Sequence, residues 1–502
     1  MMSTQNPETS ETTPKFPEIL GHPSPLWMLF MTEFWERFCY YGMRWALALY
    51  VVAAFYAGDP TGQKAASKTY GAYTALVYAT GVLGGYIADK LLGFQRSILV
   101  GASFIAIGLF TLLVPDQTVF LLGLGLIIVG NGLFKPNISS MVGALYPPGD
   151  SRRDRGFTIF YMGINAGAFF APLLTGWAAN ALMGGTAEKP NYVVVFATAG
   201  IGMLVSLVWF TLGRGGLRSV GRTPPGREGF MPVVVVVVGG LLLVPLLYLL
   251  LSRNELLDYI LWALFVGCCG MLLNAGFRSD RVQRDKIFAL LILFVSNILF
   301  WMFFEQAGSS FSFLAESIVD RKLFGSWEFP IGWFQSVNPA AIVVLAPLVA
   351  VGWAALDRRQ LEPSIPRKFA LGLVGNALGF LVLMFALKSL VDARNMIPFW
   401  PLAACYLVQT VAELCLSPIG LSMVTKLAPP AMVGATMGAW FMSIALGNKL
   451  AGNLAAEISG ETGMTVTSAL SGFSFSFYLL IGAGVLMFLV APLINRLMHG
   501  VR

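Results

Sequence analysis

Two stretches, VVVVVVGGLLLVPLLYLLL (233–251) and FALLILFVSNILFWMFF (288–304), constrain the fold most. About 20 apolar residues in a helix, rising about 1.5 Å each, span the roughly 30 Å hydrocarbon layer of a membrane. Lipid offers no partners to backbone amides and carbonyls, so such a run must satisfy its own by forming a helix. The two stretches have company. Of 502 residues, 56% are hydrophobic and 12% charged, with mean hydropathy +0.72. A water-soluble domain carries about 25% charged residues, and this composition excludes one. Fourteen spans are expected, at about 25–56, 69–89, 97–115, 118–145, 156–183, 191–213, 231–252, 256–277, 286–318, 334–356, 367–388, 397–427, 432–457 and 471–496.

Charge outside the spans sets orientation, because basic residues stay on the cytoplasmic side. With the N-terminus inside, 21 of the 33 Lys and Arg fall in inner segments, 8 in outer segments and 4 within spans. Both termini are therefore expected in the cytoplasm. Residues 1–24 are polar and lack the basic-then-apolar order of a signal peptide; they are expected to form a disordered tail. The five cysteines lie in apolar spans without metal-ligand spacing and read as packing residues.

The chain repeats itself. KPNISSMVGALYPP (135–148) aligns without gaps to SPIGLSMVTKLAPP (417–430), with seven identities, among them Pro136/Pro418, Met141/Met423 and Pro148/Pro430. IFYMGINAG (159–167) lies against AWFMSIALG (439–447) at nearly the same offset. Two related six-helix halves follow, at 25–213 and 281–498. Between them, 214–280 is a linker with two additional apolar helices, and 499–502 is a cytoplasmic end. Paired halves with a site between them are a transporter architecture.

The segment TEFWERFCYYGMR (32–44) sets charges inside a span. At about 100° per residue, Glu33, Arg37, Tyr40, Tyr41 and Arg44 share one arc, which Glu36 widens. A charge at mid-membrane costs roughly 2.5–3.5 kcal/mol on insertion scales, so this stripe should face a cavity between the halves. Helix rise puts Arg37 and Lys135 roughly 15–18 Å above the inner face and Glu413 roughly 21 Å. Arg44 and Glu305 lie deeper, at roughly 27–29 Å. A cationic floor in one half and buried acids in the other suit a small zwitterion, its carboxylate toward Arg37 and Lys135 and its ammonium toward Glu413. Without cargo, Arg44 should pair with Glu305 and Lys135 with Glu413, since unpaired buried charges are strongly destabilising.

The motifs EFWERFCYYGMR (33–44), GNGLFKPN (130–137), FTIFYMGINAGA (157–168), FWMFFEQ (300–306), FQSVNP (334–339) and AELCLSPIG (412–420) together resemble the proton-coupled oligopeptide transporter family. GGYIADKLLGFQRS (84–97) is similar to the inner-loop motif of the major facilitator superfamily, of which that family is a branch. The resemblance implies an all-α membrane protein of that superfamily's fold: two six-helix bundles plus two extra helices between them, fourteen crossings in all. It also implies proton-driven import of di- and tripeptides by alternating access, through a monomer in the bacterial inner (plasma) membrane. Its partners would be peptides, protons and lipids, without nucleic acid, metal or cofactor other than the coupling proton. Carried over by position, Arg37, Tyr41 and Lys135 match the peptide-carboxylate residues, and Asn165, Asn338 and Glu413 the amino-end residues. Tyr40, Tyr78, Trp301, Ser417 and Trp440 match pocket positions. Glu33, Glu36, Arg44 and Glu305 match the proton-coupling and gating groups.

Two departures stand out. Where some relatives carry a histidine on the second span, this chain has Gly71, and its two histidines, His22 and His499, lie outside the spans. Carboxylates must then carry the proton. The outer loop near 389–396 is short, without the large domain of animal relatives. The alternative reading is a transporter of the same fold with another anionic or zwitterionic cargo, such as nitrate, modified peptides or peptide-like drugs. No HExxH, GxSxG or Cys/His cluster occurs, so an enzyme is not expected.

Overall fold

The computed structural model describes residues 14–325 and 327–501. Its long helices are α1 (Pro25–Phe55), α2 (Gln63–Ile87), α3 (Gly93–Thr111), α4 (Gln117–Ala144), α5 (Arg153–Ala181), α6 (Tyr192–Gly213), α7 (Met231–Ser252) and α8 (Asn254–Phe277). There follow α9 (Arg281–Phe304), the short α10 (Ser310–Ser317), α11 (Val337–Arg358), α12 (Ile365–Ser389), α13 (Trp400–Leu427), α14 (Val433–Ser459) and α15 (Val466–Leu497).

Among the described residues, 13 continuous helical stretches are long and apolar enough to cross a membrane. One of them, Pro60–Thr111, has 52 residues. At about 1.5 Å per residue it would be roughly 78 Å long, more than twice one crossing. It is broken by a π-helical turn at Ala88–Leu92 and by Gly93, whose φ is +73°. A left-handed residue here must lack a Cβ, since one built on Gly93 would lie 2.3 Å from the Arg222 carbonyl oxygen. So α2 and α3 are two crossings and the total is fourteen. An even number leaves both ends of the chain on one face, here called the terminal face; the other is the distal face.

Within the first half, α3 packs on α4, and α1 on α5 and α6; within the second, α12 packs on α15 and α13, and α9 on α14. The halves meet where α2 crosses α14 and α5 crosses α11. The extra hairpin is divided between them. Its first leg, α7, lies on α4, and its second leg, α8, lies on α14 and α9. Asp258 of α8 reaches Lys449 of α14 at 3.2 Å, and Asn453 accepts a bond from the same ammonium at 2.7 Å. Lys449 is fully buried, so this carboxylate offsets a charge that would otherwise be stranded in the bilayer.

Two expectations need correction. The span expected at 286–318 is not one helix. It breaks at Glu305–Gly308, a 3₁₀ turn, where Glu305 turns toward Arg44 and the Gln306 amide donates to the Ala451 carbonyl at 3.1 Å. The tail expected to be disordered over 1–24 is ordered in its described part. Residues 1–13 lie outside the described residues, as does Arg502. Glu18–Ile19 pairs antiparallel with His22–Pro23, and the hairpin is held by Arg152 on Glu18 at 2.7 Å and by His22 bonded to the Tyr146 hydroxyl at 2.8 Å. Contacts distant in sequence supply the order that local composition does not.

Candidate functional site

The stripe on α1 divides into two tiers: Tyr41 and Arg44 reach the boundary between the halves, lining a small cavity with Gln335, Asn338 and Tyr406, whereas Glu36 lines a cavity walled by α1–α4. The rear tier is sealed. Glu33, Glu36 and Arg37 are each no more than 2% exposed. Arg37 Nη2 donates to Glu36 Oε1 at 2.6 Å, its Nε also bonds Glu36, and Glu33 Oε1 lies 3.2 Å from that Nε. The second Glu33 oxygen has no partner among the described residues. Tyr40 lies against this knot, its ring centre 5.0 Å from the Arg37 guanidinium. The front tier is half-buried and consists of Tyr41, Tyr78, Lys135, Trp301, Asn338, Glu413 and Ser417. Lys135 Nζ sits 4.8 Å above the Tyr78 ring centre, a cation–π contact that steadies the ammonium without neutralising it.

Within the second half, Asn338 of α11 donates to Glu413 of α13 at 2.9 Å and to Thr410 at 3.0 Å. The Trp301 indole donates to Asn297 at 3.1 Å, and Asn297 in turn to Ser443 at 2.8 Å; these bonds fix the ring's orientation. The Ser417 hydroxyl has no partner among the described residues. Two other candidates, one for the amino end and one for the pocket, are buried. Asn165 is buried and donates to the Tyr161 carbonyl of its own helix. Trp440 is 3% exposed and packs on Phe294 and Phe369.

Arg44 bonds Glu305 directly and also donates to the Tyr70 hydroxyl at 2.5 Å. This tie joins α1 to the turn after α9 and so links the halves. The second expected tie is not made: Lys135 and Glu413 form no ion pair, and Glu413 takes its bond from Asn338 of its own half. The reason lies in where the halves touch. Lys64 pairs with Glu461 at 2.5 Å, Gln63 accepts from the Met464 amide at 2.8 Å, Trp333 donates to the Leu173 carbonyl at 2.9 Å, and Ser336 to Phe169 at 2.8 Å. These bonds are all toward the distal face. The halves are tied distally, and none of these bonds draws Lys135 and Glu413 together.

Gly71 explains its own departure. Its helix crosses α14 backbone to backbone, and a Cβ on Gly71 would lie 2.7 Å from the Gly452 Cα. No histidine fits there in this closed arrangement. Tyr70, Thr410 and Asn297 were not singled out from sequence. Tyr70 adjoins Gly71 and could have been suspected; the other two carry no signal beyond being polar within a span.

The sequence model of the POT family (PTR2) matches residues 95–470. A peptide transporter of Yersinia enterocolitica, YePEPT, is 37% identical over 98% of both chains. Dipeptide and tripeptide permease B of Photorhabdus asymbiotica is 32% identical over 96% of this chain and 98% of its own. Among solved structures, peptide transporter POT in complex with sulfate superposes with a TM-score of 0.83 at 33% identity, over 97% of this chain and 98% of that one. A POT family transporter in complex with 5-aminolevulinic acid gives 0.80 at 29% identity, over 96% and 99%. A fourteen-crossing bundle with charges gathered between two halves, matched over nearly its whole length by these relatives, belongs to the POT family of transporters.

Proposed function

We propose that the chain imports di- and tripeptides across the bacterial inner membrane, driven by protons, with the terminal face in the cytoplasm. The excess of Lys and Arg in the segments of that face supports the orientation. The observation that carries the reading is the opposed pair Lys135 and Glu413: a half-buried cation and a half-buried anion on facing walls, not bonded to each other. A peptide's carboxylate and ammonium are the complementary charges, set apart by a backbone. The front-tier residues Tyr41, Tyr78, Trp301, Asn338 and Ser417 line its path. Arg37 is engaged by two glutamates, so protonating Glu33 or Glu36 would release it toward a carboxylate. Protonating Glu305 would likewise loosen Arg44 and let the distal face open. Proton entry and peptide release thus act on the same set of ion pairs, and no metal or cofactor takes part. The relatives named as peptide transporters support the substrate class.

The test is uptake of labelled dialanine into proteoliposomes under an imposed inward proton gradient. Unlabelled di- and tripeptides should compete, while free alanine and nitrate should not. Uptake that ignores the gradient, or is blocked by nitrate and not by dipeptides, would overturn the proposal.

A further inference from the structure

Away from the transport path, a cleft of about 950 Å³ opens on the terminal face. Its walls are the turn between α2 and α3 and the linker that follows α6. Three arginines line it, Arg96, Arg214 and Arg222, with Asp89 and Glu228. Arg96 is committed to the linker, donating to the carbonyls of Gly229 at 2.8 Å and Glu228 at 2.5 Å. Arg222 donates through Nε to the Arg218 carbonyl at 2.9 Å. None of the three forms an ion pair among the described residues, even with the carboxylates of the same cleft. Arg214 and Arg222 are exposed and leave charged N–H groups to offer. Arginine forks of this kind recognise phosphate oxygens.

Directly membrane-ward of the cleft runs an apolar groove of about 330 Å³ between α2, α4 and α7. The two are continuous along the chain. Ala88 and Asp89 line the cleft, whereas Ile87 and Leu91 line the groove. On the opposite wall, Glu228 lines the cleft and Val235, a few residues on, lines the groove. From Leu91 to Thr80 the groove follows eleven residues of helix, roughly 16 Å. That is the depth of one leaflet, half of a hydrocarbon layer of roughly 30 Å.

We propose that cleft and groove together form a site for one anionic phospholipid of the cytoplasmic leaflet. The headgroup phosphate lies between Arg214 and Arg222, and one acyl chain lies along α7. Charge complementarity and matched depth argue for a lipid over a soluble anion: free phosphate would use the cleft and leave the groove idle. The leaflet assignment rests on the orientation proposed above. The binding itself does not, so the two can fail separately.

Native mass spectrometry of the delipidated full-length protein in detergent, titrated with phosphatidylglycerol or phosphatidylcholine, tests this. One phosphatidylglycerol should bind per chain at least tenfold more tightly than phosphatidylcholine. Arg214→Gln/Arg222→Gln should erase that preference. Gly239→Leu should weaken phosphatidylglycerol at least fivefold, because Gly239 faces open groove where a side chain meets nothing within 4 Å. Peptide uptake by both variants confirms that they are folded. Equal binding of the two lipids, either variant binding as the wild type does, or glycerol phosphate binding as tightly as the lipid would each overturn the site.

Discussion

At the scale of single residues, Glu413 and Glu305 separate recognition from coupling. Glu413→Gln keeps the shape and the Asn338 contact but removes the charge that a peptide ammonium would meet. A hydrogen bond to a charged group contributes about 1.5–3 kcal/mol, so peptides with a free amino end should bind roughly 10- to 100-fold more weakly. Binding of an N-acetylated peptide, read by the same competition assay, should not change; equal losses for both would remove Glu413 from that role. Glu305→Gln should retain exchange of labelled for unlabelled peptide across the membrane and lose gradient-driven accumulation, and normal uphill transport would take Glu305 out of the proton path. Sequence showed which ionised groups lie in the membrane because each is costly there and stands out against apolar neighbours. It correctly joined Arg44 to Glu305, two groups at one depth in facing halves. It failed for Lys135 and Glu413, since their separation depends on which face is closed, and conformational state is not a property of composition. Nor could spacing show that Trp440 packs into its own half, on Phe294 and Phe369.

Among elements, the helices were legible because length and apolar content decide them, and their ends were less so. Glu305–Gly308 breaks a span through contacts made by partners on α1 and α14, and nothing in residues 286–318 announces those partners. The ordered hairpin at Glu18–Pro23 escaped for the same reason. The crossing of α2 with α14 gives a further expectation. Gly71→Ala puts a methyl group 2.7 Å from the Gly452 backbone, closer than atoms can pack, so the distal face can no longer close fully. In a background without native cysteines, a short bifunctional thiol reagent should bridge Lys64→Cys and Glu461→Cys, whose native side chains pair, and adding Gly71→Ala should reduce the yield severalfold. An unchanged yield would mean that the two helices part here without affecting closure.

On the scale of the whole molecule, the cross-half bonds named above close the distal face, which is the outer one under the orientation proposed. A cysteine introduced as Tyr78→Cys, on the front tier, should react with a membrane-impermeant thiol reagent applied from the cytoplasmic side of oriented vesicles. Gln63→Cys, behind the distal closure, should not react from that side. Reversed labelling would invert the topology. Two halves were legible from the repeat at 135–148 and 417–430. Which end of their interface is shut was not, because both states use the same spans.

The hairpin of α7 and α8 bears on how far the halves can swing. Its legs ride on different halves, and only Arg253 separates Ser252 from Asn254. Two links of extended chain reach about 7 Å at most, so the outer tips of the legs stay together however the bundles tilt. That joint works as the rivet of a pair of scissors: the blades spread at the cytoplasmic end while the pivot stays fixed, and opening outward must slide a leg along its bundle or unwind a tip.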